Sequence, residues 1–238
     1  MRKIVLIVIV GLLGAAASAA AQTTGSATPN RAGRPSTLHF NIDGTAAPIS
    51  GRLPVGLQVN APAGFQVDPK AVVQRCSQES AKLNECPAGS RLGRGSLIVG
   101  VTAPNAGTVT VRAVTIPLLV YLHSNTKILA VAKVFGWQVV PGTLSTHPGF
   151  AVGFNPLPAG PPFPGVTYAL KAITLNLGAT RMVKQRVKAK KGTRVTTQHL
   201  DYFRNPATCH GGWKSSVSLT FRDGTTTQLS VPVACAKS

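Results

Sequence analysis

The sequence predicts an all-β protein, a single large antiparallel β-sandwich of the jelly-roll or immunoglobulin-like type over residues 37–238. Three observations predict this fold. Short stretches alternate apolar with polar residues, clusters of Gly, Pro and Asn separate them, and four cysteines can form two disulfides. No linker-like segment divides these residues, so one domain is expected.

The alternation identifies eleven strands, followed here in chain order: 37–42, 51–60, 95–102, 108–123, 127–135, 144–154, 167–177, 181–190, 194–203, 215–221 and 226–233. One short helix is predicted over 69–83, because Asp68 is a good N-cap and Pro69 suits the first helical position. The proline-rich segment 155–165 is expected to be a rigid connector rather than a polyproline ligand motif.

The C-terminal residues carry the clearest hairpin pattern. Apolar alternation continues on both sides of Asp223-Gly224, a dipeptide that favours a turn with positive φ at both residues. Reflection through this turn brings Cys235 close to Gly212, and the other pair of cysteines is only ten residues apart. The predicted disulfides are therefore Cys76–Cys86 and Cys209–Cys235.

The N-terminus has the three parts of a secretory signal peptide, which we place at residues 1–21. A basic start is followed by an apolar run at 4–13 and by a cleavage site after one of the alanines 19–21. An uncleaved anchor is the alternative, because residues 4–21 carry no charge, but the apolar run is short for a bilayer span. The expected mature protein is secreted or envelope-associated and has no transmembrane segment.

The mature chain is expected to begin with a disordered linker at residues 22–36, where no periodicity is present and turn formers are frequent. Removing Arg2 and Lys3 with the signal peptide lowers the formal net charge from +19 to +17. The imbalance arises as much from scarce acids as from abundant bases, since the chain has only six Asp and Glu residues. Such a charge favours anionic partners.

Two groups of motifs resemble a known set of proteins. The first is Leu53-Pro54-x-Gly56-Leu57, then Cys76, then Cys86-Pro87-x-Gly89-Ser90-x-x-Gly93-x-Gly95-Ser96; the second is Asn205-Pro206-x-x-Cys209-x-Gly211-Gly212-Trp213, then Asp223-Gly224 and Cys235. In these motifs the chain resembles uncharacterised secreted β-rich proteins of high-GC Gram-positive bacteria. The motifs cover residues 53–101 and 203–235, less than half of the mature chain. The resemblance implies secretion and disulfides, and no activity.

The sequence offers little for catalysis. A hydrolytic triad or a glycosidase dyad needs spare carboxylates, whereas most of the six acids have a structural explanation in caps, turns or the first disulfide loop. No Gly-x-Ser-x-Gly elbow and no phosphate-binding loop are present. Asp43 and Asp201 remain, and Asp201 shares a predicted strand face with His199. That pair is the acid/base candidate if the protein is an enzyme.

No metal site and no cofactor are predicted. The histidines show neither H-x-H nor H-E-x-x-H spacing, and no C-x-x-C pair occurs. Of the two tryptophans, Trp213 is expected to pack on the disulfide formed by Cys209 and Cys235. The role of Trp137 is left open between packing and stacking on a sugar ring.

Positive charge is concentrated at residues 181–194, which contain no acid. The residues proposed to bind a polyanion are Lys184, Arg186, Lys188, Lys190, Lys191 and Arg194. The first four occupy alternate positions and are expected to share one face of a strand. The alternative is that these cations only protect a strand edge from aggregation.

The function expected from these features is that of a non-enzymatic extracellular or envelope protein that binds anionic envelope polymers. Recognition by such a surface is electrostatic, so no specific nucleic acid is expected as partner. Two other functions stay open: a secreted enzyme of unfamiliar mechanism and a purely structural or adhesive module.

Overall fold

The computed structural model describes residues 23–68, 71–105, 108–133, 136–146, 149–157, 165–189 and 192–237. The signal peptide and its cleavage site lie outside them. The elements are β1 (Thr23–Thr28), β2 (Thr37–Asp43), β3 (Pro54–Asn60), β4 (Gln66–Val67), α1 (Gln78–Lys82), a 3-10 helix (Ala88–Ser90), β5 (Arg91–Asn105), β6 (Thr108–Leu122), β7 (Lys127–Lys133), β8 (Trp137–Ser145), β9 (Ala151–Phe154), β10 (Thr167–Leu177), β11 (Thr180–Ala189), β12 (Gly192–Asp201), β13 (Phe203–Arg204), β14 (Trp213–Phe221) and β15 (Thr226–Val233).

Eleven of these strands form a closed barrel in the order β1-β15-β14-β3-β9-β8-β7-β6-β5-β10-β2, with β2 pairing back to β1. The predicted β-sandwich, jelly-roll or immunoglobulin-like, is therefore wrong. The prediction of a β-rich chain with one short helix and two disulfides is confirmed. A strand with one buried face has the same alternation in a sandwich and in a barrel, so the pattern did not separate the two folds.

Inward-facing side chains fill the barrel. On β14, Trp213, Val217, Leu219 and Phe221 are buried and alternate with more exposed residues. Three phenylalanine rings pack together with centroids 4.8 to 5.8 Å apart: Phe65, Phe150 and Phe203. These side chains form the hydrophobic core inside the barrel.

Strand β7 is covered on both faces, which explains its continuous apolar sequence. Ile128 and Ala130 belong to the barrel core, whereas Leu129 and Val131 belong to a second cluster on the outer wall. The Cys76–Cys86 disulfide and α1 cover that second cluster.

The helix starts later than the predicted range of 69–83. It covers only Gln78–Lys82, and the hydroxyl oxygen of Ser77 accepts a hydrogen bond from the Ser80 backbone N–H at 3.0 Å as the N-cap. The backbone N–H of Cys76 donates to the carbonyl of Leu122 at 2.9 Å, which ties this residue to the end of β6. The predicted N-cap, Asp68, lies ten residues before the start of this helix, and Pro69, the predicted first helical residue, is outside the described part.

The predictions of one strand and of one turn also needed correction. The single strand expected at 144–154 consists of the end of β8 and all of β9, with a connection between them. In the C-terminal hairpin, only Gly224 has a positive φ, of 81°. The Gly224 N–H donates to the Phe221 carbonyl at 3.0 Å, so the turn is wider than a two-residue Asp-Gly turn. The register still places Trp213 opposite Val233, and the predicted disulfide next to this pair is confirmed.

The segment predicted to be a disordered linker closes the barrel. Within it, β1 pairs antiparallel with β2 over six residues and parallel with β15 at Gly25 and Val233. A Cβ at Gly25 would lie 2.6 Å from Val231 Cγ1 and 3.1 Å from Val233 Cγ2, so only glycine fits between these buried valines. The barrel domain therefore includes the residues from Thr23 onward, and the predicted start at residue 37 is too late.

A buried asparagine holds the rest of this N-terminal segment. Asn205 is 1% exposed, and its side-chain Nδ2 donates to the carbonyls of Pro29 at 2.7 Å and Arg31 at 2.9 Å. Its Oδ1 accepts a hydrogen bond from the Ser36 hydroxyl at 2.6 Å. Residues 29–36 are thus fixed mainly by polar contacts, with Ala32 as their one residue in the hydrophobic core, so hydrophobic periodicity did not reveal them.

The fit at Gly25 generates a prediction about stability. Replacing Gly25 with Ala forces a methyl group against Val231, and such overpacking costs about 1 to 3 kcal/mol. The free energy of unfolding, measured by urea denaturation of the chain from residue 23 onward, should fall by this amount. Gly149→Ala is the matched control, because a Cβ there meets nothing within 4 Å. Equal stability of the two variants would contradict the closure.

The contacts of Asn205 generate a second prediction. Asn205→Ala leaves the buried Ser36 hydroxyl and the carbonyls of Pro29 and Arg31 without their partner, so the free energy of unfolding should fall by about 2 kcal/mol. Asn60→Ala is the control, since that amide bonds Gln58 and Ser216 on the outer wall, and we expect a change of about 0.5 kcal/mol. Similar losses in both variants would contradict a special role of Asn205 in holding the N-terminal segment.

Candidate functional site

Strands β11 and β12 form a two-stranded ribbon that carries the predicted basic site. They pair antiparallel from Thr180 opposite Asp201 to Ala189 opposite Gly192. Among the described residues, neither strand pairs with the barrel or with any other strand. Ten residues of strand span roughly 33 Å. At its base, the Thr180 hydroxyl donates to Asp201 Oδ1 at 2.9 Å, and the Tyr202 N–H donates to the Ala179 carbonyl at 2.8 Å.

The register keeps three of the four cations predicted to share a face at alternate positions and places Arg194 in the other set. Lys184, Arg186 and Lys188 occupy alternate positions of β11. Arg194 pairs with Val187 and so belongs to the opposite set of positions. Lys184 is exposed. Lys190 and Lys191 lie outside the described residues, and so do the side chains of Arg186, Lys188 and Arg194.

Two exposed apolar side chains share the ribbon with these cations, which the sequence analysis missed. Met182 is 68% exposed and lies two positions before Lys184. Val195 is 56% exposed and pairs with Arg186. The alternation of the sequence suggested that apolar residues would collect on the other face, but a free ribbon has no core to impose that separation.

Most cations of the protein have no acidic partner. Within the described part of the chain, the one ion pair joins Arg52 to Asp223 at 2.8 Å, and the same guanidinium lies 3.6 Å from the centroid of the Phe221 ring. The ribbon contains a single acid, Asp201, which bonds Thr180 at the base. The sequence of the ribbon therefore supplies no acid to neutralise the cations beyond its base.

None of the six acids is buried, and all lie within the described residues. Hydrogen bonds from the Thr45 hydroxyl and backbone hold the pKa of Asp43 below its usual value, and those from Thr225, with the nearby Arg52, do the same for Asp223. Carboxyls that stay ionised in this way are poor general acids.

The His199 and Asp201 pair lies on the ribbon, away from any cleft that the described residues form. His199 is exposed and pairs with Met182, while Asp201 pairs with Thr180. A site of this kind does not exclude water from the reacting groups. The arrangement gives the enzyme hypothesis no support.

A groove of about 560 Å³ crosses the outer wall of the barrel over β7, β8, β9, β3 and β14. One cross-strand row of its floor runs from Lys127 through Thr143, Gly153 and Gln58 to Ser218. The next row includes Pro141, Gly56 and Thr220, and Gln78 and His123 border the groove beside α1. The sequence analysis missed this site, although a glycine inside a strand pattern is a known sign of an open or closely approached position.

The tryptophans are packed rather than presented for stacking. Trp213 is 6% exposed, joins the barrel core next to Cys209 and Cys235, and donates from Nε1 to the Thr208 carbonyl at 2.8 Å. Trp137 is partly buried against the outer cluster. The expectation that Trp213 packs beside the disulfide is confirmed.

Within the described residues, no three or more His, Cys, Asp or Glu side chains gather as metal ligands would. The same residues contain no helix with the length and hydropathy to cross a bilayer. In comparisons with known proteins, no family model, curated protein or solved structure matches the chain.

Proposed function

We propose that the protein is a non-enzymatic extracellular or envelope-associated protein whose β11–β12 ribbon binds anionic polymers. The observation that carries this proposal is a free ribbon with cations at alternate positions and no acid beyond its base. The two disulfides support an oxidising compartment, where anionic polymers of the cell envelope are found.

Electrostatic repulsion along the ribbon favours a polyanionic partner. Cations at alternate strand positions are about 6.6 Å apart and repel each other by about 0.6 kcal/mol per adjacent pair in water. The chain carries a formal net charge of +19, so a nearby anion is attracted by the whole molecule as well as by the ribbon. Contact with a polymer of regularly spaced anions relieves the repulsion at several positions at once.

Protection against aggregation is the competing explanation of these cations. Among the residues that the structure describes, each strand of the ribbon has an outer edge with no partner strand, and lysine at such an edge deters pairing with another chain. The two explanations differ in what they require. Protection of the edge requires positive charge but no ligand. Polymer binding by the ribbon requires that removing charge from these positions weakens binding more than removing the same charge elsewhere on the protein.

A salt titration of two charge-matched variants tests the proposal. In the ribbon variant, Lys184, Arg186, Lys188 and Lys190 are changed to Gln; in the control, Lys82, Lys133, Lys214 and Lys237 are changed to Gln. Binding to a single-stranded oligonucleotide, used as a regular soluble polyanion, is measured from low to near-physiological salt. Neutralising four phosphates contributes about −3 to the slope of log affinity against log salt concentration.

We expect the ribbon variant to lose most of this slope and to bind weakly, while the control variant keeps both slope and affinity within a small factor. Circular dichroism checks that both variants are folded. Equal losses in the two variants would mean that net charge alone attracts the polymer. Full retention of binding by the ribbon variant would leave edge protection as the explanation.

A further inference from the structure

The outer groove owes its depth to two glycines at outward-facing strand positions. A Cβ at Gly153 would meet only the Thr143 hydroxyl at 3.0 Å and the Leu57 carbonyl at 3.9 Å. A Cβ at Gly56 would lie 3.3 Å from Thr220 Cβ and 3.5 Å from Asn155 Cγ. Neither glycine has a positive φ. At Gly153 only the hydroxyl of Thr143 approaches closely, and this hydroxyl can rotate away. Neither the backbone conformation nor tight packing therefore requires glycine at this position. The effect of the missing side chain is open space on the floor of the groove.

The groove is lined by neutral polar groups. Amides of Gln58, Gln78 and Asn155 and hydroxyls of Thr143 and Ser218 surround the floor. Among the described residues, the side chains of Gln78, Thr143, Asn155 and Ser218 make no hydrogen bond to another protein group. Amides and hydroxyls offer donors and acceptors together. These groups are therefore available to a ligand that both donates and accepts.

The charged groups of the lining are few and lie near one end. No acid lines the groove, which leaves a metal cation without carboxylate ligands. Lys127 is the one permanently charged residue in the lining. His123 Nδ1 lies 2.7 Å from the Cys76 carbonyl, which can only accept, so Nδ1 carries the hydrogen of this bond. A single lysine is a weak site for a phosphate or a polyanion.

We infer that this groove binds an uncharged, hydroxyl-rich ligand of the saccharide class. Sugar hydroxyls donate and accept in the way the lining requires, and the volume of about 560 Å³ lies in the range of ligand sites. The floor at Gly56 and Gly153 carries no side chains, which lets a sugar ring approach the strands. The inference goes beyond the proposed function and does not rest on it, since the groove and the basic ribbon share no residue.

The experiment uses neutral linear hexasaccharides of glucose, mannose, galactose, xylose and N-acetylglucosamine as probes, with titration calorimetry as the readout. Gly153→Leu fills the groove from its floor. Gly149→Leu is the matched control, because Gly149 does not line the groove and a Cβ there meets nothing within 4 Å. A second variant, Thr143→Ala with Ser218→Ala, removes two lining hydroxyls without adding bulk.

We expect at least one saccharide to bind the unmodified chain. Gly153→Leu should weaken its binding at least about tenfold, equivalent to about 1.4 kcal/mol, and the double alanine variant about fivefold or more. Gly149→Leu and the ribbon variant should bind as the unmodified chain does, which separates this site from the ribbon.

Two results would overturn the inference: no binding of any saccharide, or unchanged binding in a folded Gly153→Leu protein. If Gly153→Leu does not fold, the double alanine variant decides, because its residues lie on the outer wall and bond no described neighbour. Full affinity in that variant then refutes the site.

Discussion

The barrel is closed by contacts between the two ends of the described chain, residues 23–36 and 231–236, which we call the seam. β1 lies between β2 and β15, and Gly25 allows its backbone to approach Val231 and Val233. Just beyond, the Ala236 N–H donates to the Asn30 carbonyl at 2.8 Å, and the Ala32 N–H donates to the Ala236 carbonyl at 3.1 Å. Without this segment, β2 and β15 would each present an open edge, the arrangement that invites pairing between chains.

Covalent and polar contacts hold the seam together. The Cys209–Cys235 disulfide fixes the end of β15 to the loop that carries Asn205, and Asn205 binds the carbonyls of Pro29 and Arg31. The sequence motif that includes Asn205 and Cys209 is therefore explained by its structural role in closing the barrel. The features proposed to bind ligands lie elsewhere, on the ribbon and on the outer wall over β3, β8 and β9.

Local patterning predicted the regular strands well and the closure poorly. The bounds of β10 and β15 were correct because apolar and polar residues alternate through both strands. The sequence of β1, Thr-Thr-Gly-Ser-Ala-Thr, has small side chains at its inward positions, because the valines of β15 already fill that space. A strand built in this way has no hydrophobic periodicity. The disulfides were predictable because each joins residues that a short loop or a hairpin register brings together.

The candidate sites were predictable to different degrees. The charge run of the ribbon is visible in the sequence, but its separation from the barrel is a property of strand pairing. The groove was not predictable, because Gly56, Thr143, Gly153 and Ser218 come from four strands whose order in the barrel depends on closure. In the sequence, each glycine only interrupts the alternation of apolar and polar residues in its strand. The strand register is what places Gly56 and Gly153 together on the floor of the groove.

Amide hydrogen exchange of β1 is the most direct test of this account. In a closed barrel, the amides of Thr23–Thr28 that donate to β2 or β15 become exposed to solvent only when the barrel itself unfolds. They should therefore exchange as slowly as the amides of β14. The account predicts strong protection of β1 in the oxidised protein. Exchange of β1 at the rate of an unstructured peptide, alongside protection of β14, would mean that residues 22–36 are a linker and that the barrel is open.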